Sequence, residues 1–428
     1  MDNDPSGTVI GLVAPRFGHE VIGGAEAVVA EAAAGLASRG YEVEILTTCA
    51  LDHFTWQNHY PAGEHQWGKV TVRRFPCVMD TGGKHRDRIG KRILLGDTPS
   101  ITEQQIWMND SLRVPEMWHY LLRHHQRYRA LIYAPYMFWT TFAVSQISPA
   151  TSVIMPCLHD EPPAYLDLFR PMIEGARGVW FLTEPEASLA DRIFAVPRRN
   201  KVVGAGVDWV EPGDYRPDRF RQEFGIEGPY LYYAGRREWG KGWNELLDAF
   251  AELARYYSTD MQLVTSGVGE LGAPDDLRDR VIDVGFISAE LRNDAMAGAS
   301  AYVQPSKLES FSRTVLEAWM AGTMVVANGG SEVVGWHVER SEAGLLYRSH
   351  AQLVQAMRFV VDNPEAARRI ARPGRHYVQT HYQWDAVLDR MVDTIEEWFP
   401  MKTEATPAPL VDAHPSPVPA DETDGITA

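Results

Sequence analysis

Two glutamates, Glu309 and Glu317, stand with seven residues between them in the run Gln304-Pro305-Ser306-Lys307-Leu308-Glu309-Ser310-Phe311-Ser312-Arg313-Thr314-Val315-Leu316-Glu317. A short strand runs out at Gln304, and Ser310 or Ser312 is placed to cap the helix that follows. The free N–H groups near Phe311 and Arg313 then lie at the C-terminal edge of a parallel sheet, where anionic ligands bind. Glu309 falls before the helix and Glu317 about two turns inside it, so they cannot work as a side-by-side acid and base. Their spacing suits different parts of one extended ligand. A carboxylate accepts hydrogen bonds from hydroxyls, which fits a sugar or a ribose. Taken alone, the two also read as a solvated loop acid and an ordinary helix residue.

A second cluster follows the strand ending at Ala234: Gly235-Arg236-Arg237-Glu238-Trp239-Gly240-Lys241-Gly242, with a helix beginning near Trp243. A glycine turn with cations at Arg236 and Lys241 makes a cradle for a diphosphate, since Arg forks onto phosphate oxygens and Lys adds a point charge. The Gly-x4-Gly-Lys-Ser/Thr arrangement of a P-loop is missing, and no Gly-x-Gly-x-x-Gly follows the first strand as in a dehydrogenase. A third candidate is His159, in Cys157-Leu158-His159-Asp160 at the end of a predicted strand. By itself it reads as a buried structural histidine bonded to Asp160. The other histidines form no metal set: His53, His59 and His65 are six apart, and His119, His124 and His125 share no helical face.

The elements that must position these residues alternate strand, loop and helix. Residues 8–14, 42–47, 70–75, 131–134, 152–158 and 178–183 are strand candidates in a first series, and residues 25–38 form a helix carrying Val28, Ala32 and Leu36 at four-residue spacing. Arg39-Gly40 ends that helix. A second series has strands at 230–234, 261–265, 281–284, 301–304 and 324–327, with Leu246, Phe250, Leu253 and Tyr257 on one helical face. Two such runs predict an α/β chain of two facing, doubly wound Rossmann-like domains. The expected division is 7–207 and 208–383. A helix over 384–399, striped by Trp384, Val387, Leu388, Met391, Val392, Ile395 and Trp398, returns to complete the first domain. Residues 401–428 hold five prolines, five acids and one lysine and no aromatic residue, and read as a disordered tail. Residues 82–99, with Lys84, His85, Arg86, Arg88, Lys91 and Arg92 against Asp87 and Asp97, read as a long basic loop.

Composition excludes several classes. The 428 residues carry a net charge of -16, which disfavours nucleic acid as a partner. No apolar run is long enough to cross a bilayer. The first seven residues show no basic and apolar leader pattern, and three cysteines (Cys49, Cys77, Cys157) make no disulfide framework, so a cytoplasmic setting is expected.

Together these residues resemble the retaining glycosyltransferases of family 4, which have the GT-B fold with an interdomain cleft. The resemblance spans nearly the whole chain. It rests on Gly23-Gly24-Ala25-Glu26, Gly206-Val207-Asp208, Gly235-Arg236 with Lys241-Gly242, the Glu-x7-Glu motif at Glu309 and Glu317, Ala321-Gly322, and Gly329-Gly330-Ser331-Glu332. It implies transfer of a sugar from a UDP- or GDP-sugar to an acceptor hydroxyl by same-face attack, forming an α-glycosidic bond, with a departing phosphate oxygen helping to deprotonate the acceptor. Arg236 and Lys241 would hold the donor diphosphate in place of a metal, so no metal and no cofactor is expected. The only Asp-x-Asp, Asp2-Asn3-Asp4, precedes the first strand. Glu309 would meet hydroxyls of the donor sugar and Glu317 the ribose. Backbone groups of Ser310, Phe311 and Ser312 would lie near sugar and phosphate, and Phe286 and Ile287, after Gly285, near the nucleobase. His159 would stand beside the donor sugar. Gly23 and Gly24 would let the first-domain backbone approach the diphosphate. The acceptor, glycan, lipid-linked or small, is undefined. Lys84 to Arg92, joined by Arg123, Arg127 and Arg129, would serve an acidic acceptor or a peripheral contact with an anionic membrane at its inner face. The family has glycine where this chain has Ser312, a side chain that would narrow the sugar pocket. The same fold also serves epimerases, phosphorylases and non-catalytic sugar-nucleotide binders.

Overall fold

The computed structural model describes residues 7–21, 23–79 and 84–401. Among these, strands β1 (Val9–Val13), β2 (Val43–Thr48), β3 (Gly63–Trp67), β4 (Val70–Phe75), β5 (Tyr128–Tyr133), β6 (Ser152–Ile154), β7 (Gly178–Phe181) and β8 (Asn200–Val202) build one sheet. Its order is β3-β4-β2-β1-β5-β6-β7-β8. Strands β9 (Tyr230–Ala234), β10 (Gln262–Ser266), β11 (Val281–Asp283), β12 (Ala301–Gln304), β13 (Val325–Asn328) and β14 (Gly344–Tyr347) build a second, ordered β11-β10-β9-β12-β13-β14. Every neighbouring pair is parallel except β3 and β4, which run antiparallel.

The central strands are apolar along their whole length because helices cover both sheet faces. All five residues of β1 and all five of β9 are buried. The expected strands are present with shifted ends, the run from Ser152 stopping at Ile154. Three strands escaped the pattern: β3, β8 and β14 are sheet edges. An edge strand has little to bury, and the sequence of β3, GEHQW, is mostly exposed.

The helix Gly24–Ser38 buries Val28, Ala32 and Leu36, and Gly40 takes φ 93° just beyond it. Helix Trp243–Tyr256 buries Leu246, Phe250 and Leu253, leaving Tyr257 past its end. The final helix, Trp384–Trp398, lies on Gly24–Ser38, where a Cβ on Gly35 would fall 2.5 Å from a Leu388 methyl. Arg129 at β5 holds the chain just beyond that helix by donating to the Phe399 carbonyl at 2.6 Å, and it takes the helix's Glu396 at 2.7 Å.

The basic segment is corrected. Lys84–Leu94 is a helix, not a loop, with Ile89 and Ile93 buried four apart under an otherwise polar sequence. Two isoleucines suffice to seat it, but they are too few to show as periodicity. Its charges are also less free than the count implies. Arg92 binds Asp97 at 2.7 Å and pairs with Glu103, and Arg86 lies over the Trp107 ring. Arg129 is buried and extends no basic surface, whereas Arg127 stays exposed while donating to the Tyr120 hydroxyl at 2.8 Å. No described helix is long and apolar enough to cross a membrane. The proline-rich stretch, apart from Met401, and Asp2-Asn3-Asp4 lie outside the described residues.

Candidate functional site

In each sheet the strand order reverses direction once, between β1 and β5 and between β9 and β12. Loops leaving neighbouring strands at such a point diverge and open a crevice. The loops after β9 and β12 are nonetheless pressed together. Gly242 takes φ 72°, and a Cβ there would sit 2.5 Å from the Pro305 carbonyl oxygen. This close approach brings Lys241 onto the other loop, where its ammonium donates to Glu309 Oε1 at 2.9 Å.

Burial pushes the Glu309 carboxyl up, but the charge and hydrogen bond of Lys241, with His159 and Ser306, outweigh it and hold the group below its ordinary value. Glu309 is therefore an ionised acceptor at neutral pH, unsuited to proton donation. Gln304, at the end of β12, donates its amide to Ser312 Oγ at 2.6 Å and approaches Glu309 Oε1 at 3.5 Å. Two adjacent arginines diverge. Arg237 turns inward to a bidentate bond with Asp283 at 2.9 and 3.0 Å. Arg236 stays exposed beside Glu238, 3.2 Å away, while its carbonyl is fixed by the Tyr233 hydroxyl at 2.7 Å. The Gly235 N–H is tied to the Ser266 carbonyl at 3.0 Å.

The capping expectation is corrected. Helix Arg313–Met320 has Ser312 at its N-cap position, but at φ 61° and without a side-chain cap bond. Its hydroxyl is bound to Gln304 instead, which holds a non-glycine residue in the left-handed region and buries the side chain. Phe311 is buried edge-on to His337 and Tyr382, and the Ser310 carbonyl accepts from Thr183 Oγ1 at 3.3 Å. Glu317 is the fifth residue of this helix, little more than one turn inside it. It is taken by Arg292, whose Nε and Nη2 donate at 3.0 and 3.1 Å, and faces Arg313 Nε at 3.3 Å. Beyond β11, Ile287 is buried and Phe286 is 64% exposed. The Gly285 carbonyl accepts from the Gly267 N–H at 2.8 Å, joining that loop to the one after β10.

From the first sheet, His159 Nδ1 lies 3.4 Å from Glu161, whose carboxylate also accepts from the Tyr136 hydroxyl at 3.1 Å. Asp160 instead accepts from Tyr165, so the structural His159–Asp160 pairing is not the one formed. The backbone before His159 is held by Glu186, a buried carboxylate that accepts from the N–H groups of Leu158 and Leu182, each at 2.6 Å. Burial raises its pKa to about 7 against those bonds. Gly23 precedes the helix Gly24–Ser38. A Cβ on it would lie 2.0 Å from Glu26 Oε2, part of the buried Arg16–Glu26 pair, whereas Gly24 opens onto free space. His53 is held below its ordinary pKa by burial and by the charges of Arg16 and Arg236, which brings the first sheet's loops into the field of the second's. A cavity of about 280 Å³ between the two halves is lined by Leu158, Glu186, Lys307, Glu309 and Ser331 among others.

The structure thus joins Lys241 and Glu309 directly, links Ser312 to them only through Gln304, and sets His159 within electrostatic reach of Glu309. It places Glu317 in a separate arginine cluster. Sequence reasoning missed Glu186, Arg292 and Arg313. Thr183-x-x-Glu186 has the spacing of a capping box and was a usable signal. Nothing local marks Arg292.

Residues 214–377 match the family model described as Glycosyl transferases group 1. Curated relatives include 2-deoxystreptamine glucosyltransferase of Streptomyces kanamyceticus, 28% identical over 48% of this chain and 57% of that one. Another is D-inositol 3-phosphate glycosyltransferase of Frankia alni, 35% identical over 39% and 46%. The chain spans about half the length of the curated relatives it matches. Solved structures align over far more. Sucrose-phosphate synthase from Thermosynechococcus elongatus gives a TM-score of 0.69 at 19% identity, over 92% of this chain and 99% of that one. Anabaena Alr3699/HepE in complex with UDP and glucose gives 0.65 at 16%, over 91% and 100%. The chain has the GT-B fold, and its residues 214–377 match the glycosyl transferases group 1 family.

Proposed function

We propose that the protein is a retaining glycosyltransferase that moves a sugar from a UDP- or GDP-sugar to an acceptor hydroxyl and leaves an α-linkage. The observation that carries this reading is the Lys241–Glu309 pair at 2.9 Å, a cation and an ionised carboxylate side by side at the reversal point of the second sheet. An ammonium has three donors, so Lys241 can bind Glu309 and still meet a phosphate oxygen. Arg236 adds a second, exposed cation, and the N–H groups beginning at Arg313 a third source of positive potential. Charge developing on a departing diphosphate is stabilised by groups already in place, without a metal. Glu309 accepts from sugar hydroxyls, and His159 approaches from the first sheet. The names of the curated relatives and the nucleotide in the Anabaena complex support this donor class.

The test is incubation with UDP- and GDP-sugars and a panel of glycan, lipid-linked and small acceptors, in the presence of a chelator. Release of nucleoside diphosphate together with an α-configured product supports the reading. A product of inverted configuration, or activity restored only by a divalent ion, overturns it. A peripheral membrane role belongs to the same proposal. On helix Lys84–Leu94 the exposed Lys84, Arg88 and Lys91 lie close in sequence to Leu94 and Leu95, themselves 68% and 87% exposed. Co-sedimentation with anionic but not neutral vesicles is expected, and its absence removes the membrane clause alone.

A further inference from the structure

Arg313 is the first residue of the helix that follows the Glu309 loop, and it reaches out of the second sheet's half. Its Nη1 lies 2.8 Å from Glu31 Oε2, on the helix Gly24–Ser38 of the first. Its Nε lies 3.3 Å from Glu317 Oε1, and Nη2 is 3.9 Å from Asp208. Arg292 binds Glu317 from the other side at 3.0 Å. The result is an alternating row, Glu31, Arg313, Glu317, Arg292, that crosses from one half to the other. Arg313 and Glu317 are both largely shielded, with side chains 18% and 7% exposed, so their interaction is poorly screened.

The row's ends matter because of what they hold. Glu31 lies two turns along the helix whose first turn follows the Gly23–Gly24 backbone, so a shift of that helix carries both. Arg313 adjoins the loop carrying Glu309 and the N–H groups of Phe311 and Ser312. The Glu31–Arg313 separation therefore sets how closely those two edges approach.

We propose that Arg313 and Glu31 are positioning residues that couple donor binding to closure of the two halves, with Glu317 as the shared link. The proposal rests on the donor reading above, in which Glu317 receives the ribose hydroxyls. Hydroxyls donating to Glu317 compete with Arg313 for Oε1, and Arg313 then leans more fully on Glu31, drawing the first-half helix inward. By reciprocity, closing the pair strengthens donor binding by the same factor.

The experiment measures UDP and GDP affinity by calorimetry and nucleotide-induced compaction by small-angle scattering, with steady-state kinetics. It uses the full chain and the variants Glu31→Gln, Arg313→Gln and Arg313→Lys. For Glu31→Gln we expect unchanged thermal unfolding without nucleotide, nucleotide affinity lowered about five- to tenfold, and compaction lost. Arg313→Gln should lose at least as much, and Arg313→Lys should recover part of both affinity and compaction. KM for the donor should rise more than kcat falls in Glu31→Gln. Wild-type affinity and compaction in Glu31→Gln overturn the coupling while leaving the donor reading intact. A wild-type protein that binds neither nucleotide overturns both.

Discussion

In the half built on the second sheet, Lys241 and Glu309 meet directly, on loops leaving two neighbouring strands, and the glycine that permits this adjoins the lysine. In the half built on the first sheet, His159 is placed by main chain. Glu186 holds the N–H groups of Leu158 and Leu182, and Glu161, itself held by the Tyr136 hydroxyl, lies 3.4 Å from the ring. One half presents paired charges that a ligand can rearrange. The other presents a side chain on a loop that is itself stitched to the core. The two halves should therefore fail differently when cut. Damage in the second removes electrostatic stabilisation at the chemistry, whereas damage in the first loosens geometry and stability together.

The largest effect should come from Lys241→Ala and Glu309→Ala. Each is expected to lower kcat by roughly 10²- to 10³-fold, the scale of losing one preorganised group, with thermal unfolding nearly unchanged. Turnover within a few fold of wild type in both variants would break the comparison at its stronger side. Next is Glu186→Ala, which leaves two buried N–H groups without their acceptor. A loss of about 2–4 kcal/mol in unfolding free energy is expected alongside reduced turnover, read from denaturant titration and kinetics on the same preparation. Intact stability with lost activity would mean that Glu186 takes part in the chemistry and not only in holding the loop.

A third, smaller effect concerns His337, buried in the second half with Nδ1 2.9 Å from the Tyr377 hydroxyl. Burial holds its pKa down to about 3, so the folded state keeps it neutral while the unfolded chain takes a proton near 6.5. Its contribution is complete above pH 6.5 and is lost as pH falls toward 3, by about 2 kcal/mol between pH 6.5 and 5. In His337→Phe the unfolding free energy should lose that part of its acid dependence. An unchanged slope would show that His337 is already protonated in the fold. The smallest effect is Ser312→Gly. It removes the left-handed strain of a side-chain-bearing residue and also the Gln304 bond, so stability should change by less than about 1 kcal/mol. A change in donor-sugar preference with that variant would show that the serine side chain shapes the pocket despite facing Gln304.

Much of the fold was legible because buried parallel strands are short apolar runs, and residues 9–13 and 230–234 could hardly be anything else. The edge strands β3, β8 and β14 and the helix over Lys84–Leu94 were not, since none of them buries more than two residues and the rest of each sequence looks like loop. At the site, the contiguous clusters around Arg236, Lys241 and Glu309 could be read as a phosphate and sugar cradle. Along the chain Ser312 reads as a cap, because a left-handed backbone at a serine has no sequence signature. Arg129 was counted with a basic surface because burial under a distant helix is invisible along the chain.

Which residues share a loop and which elements alternate is written along the chain, because hydrophobic period and glycine placement act over a few positions. Three cations, Arg236, Arg237 and Lys241, follow one strand and Glu309 follows another. That those two loops touch, that Arg237 turns inward while Arg236 does not, and that Glu317 answers to Arg292 and, through Arg313, to Glu31 follows from the packing of the folded chain. The reason is electrostatic. An ion pair needs its partners within a few ångströms, and that distance between residues from tens to hundreds apart in the chain is set by how the sheets and helices pack.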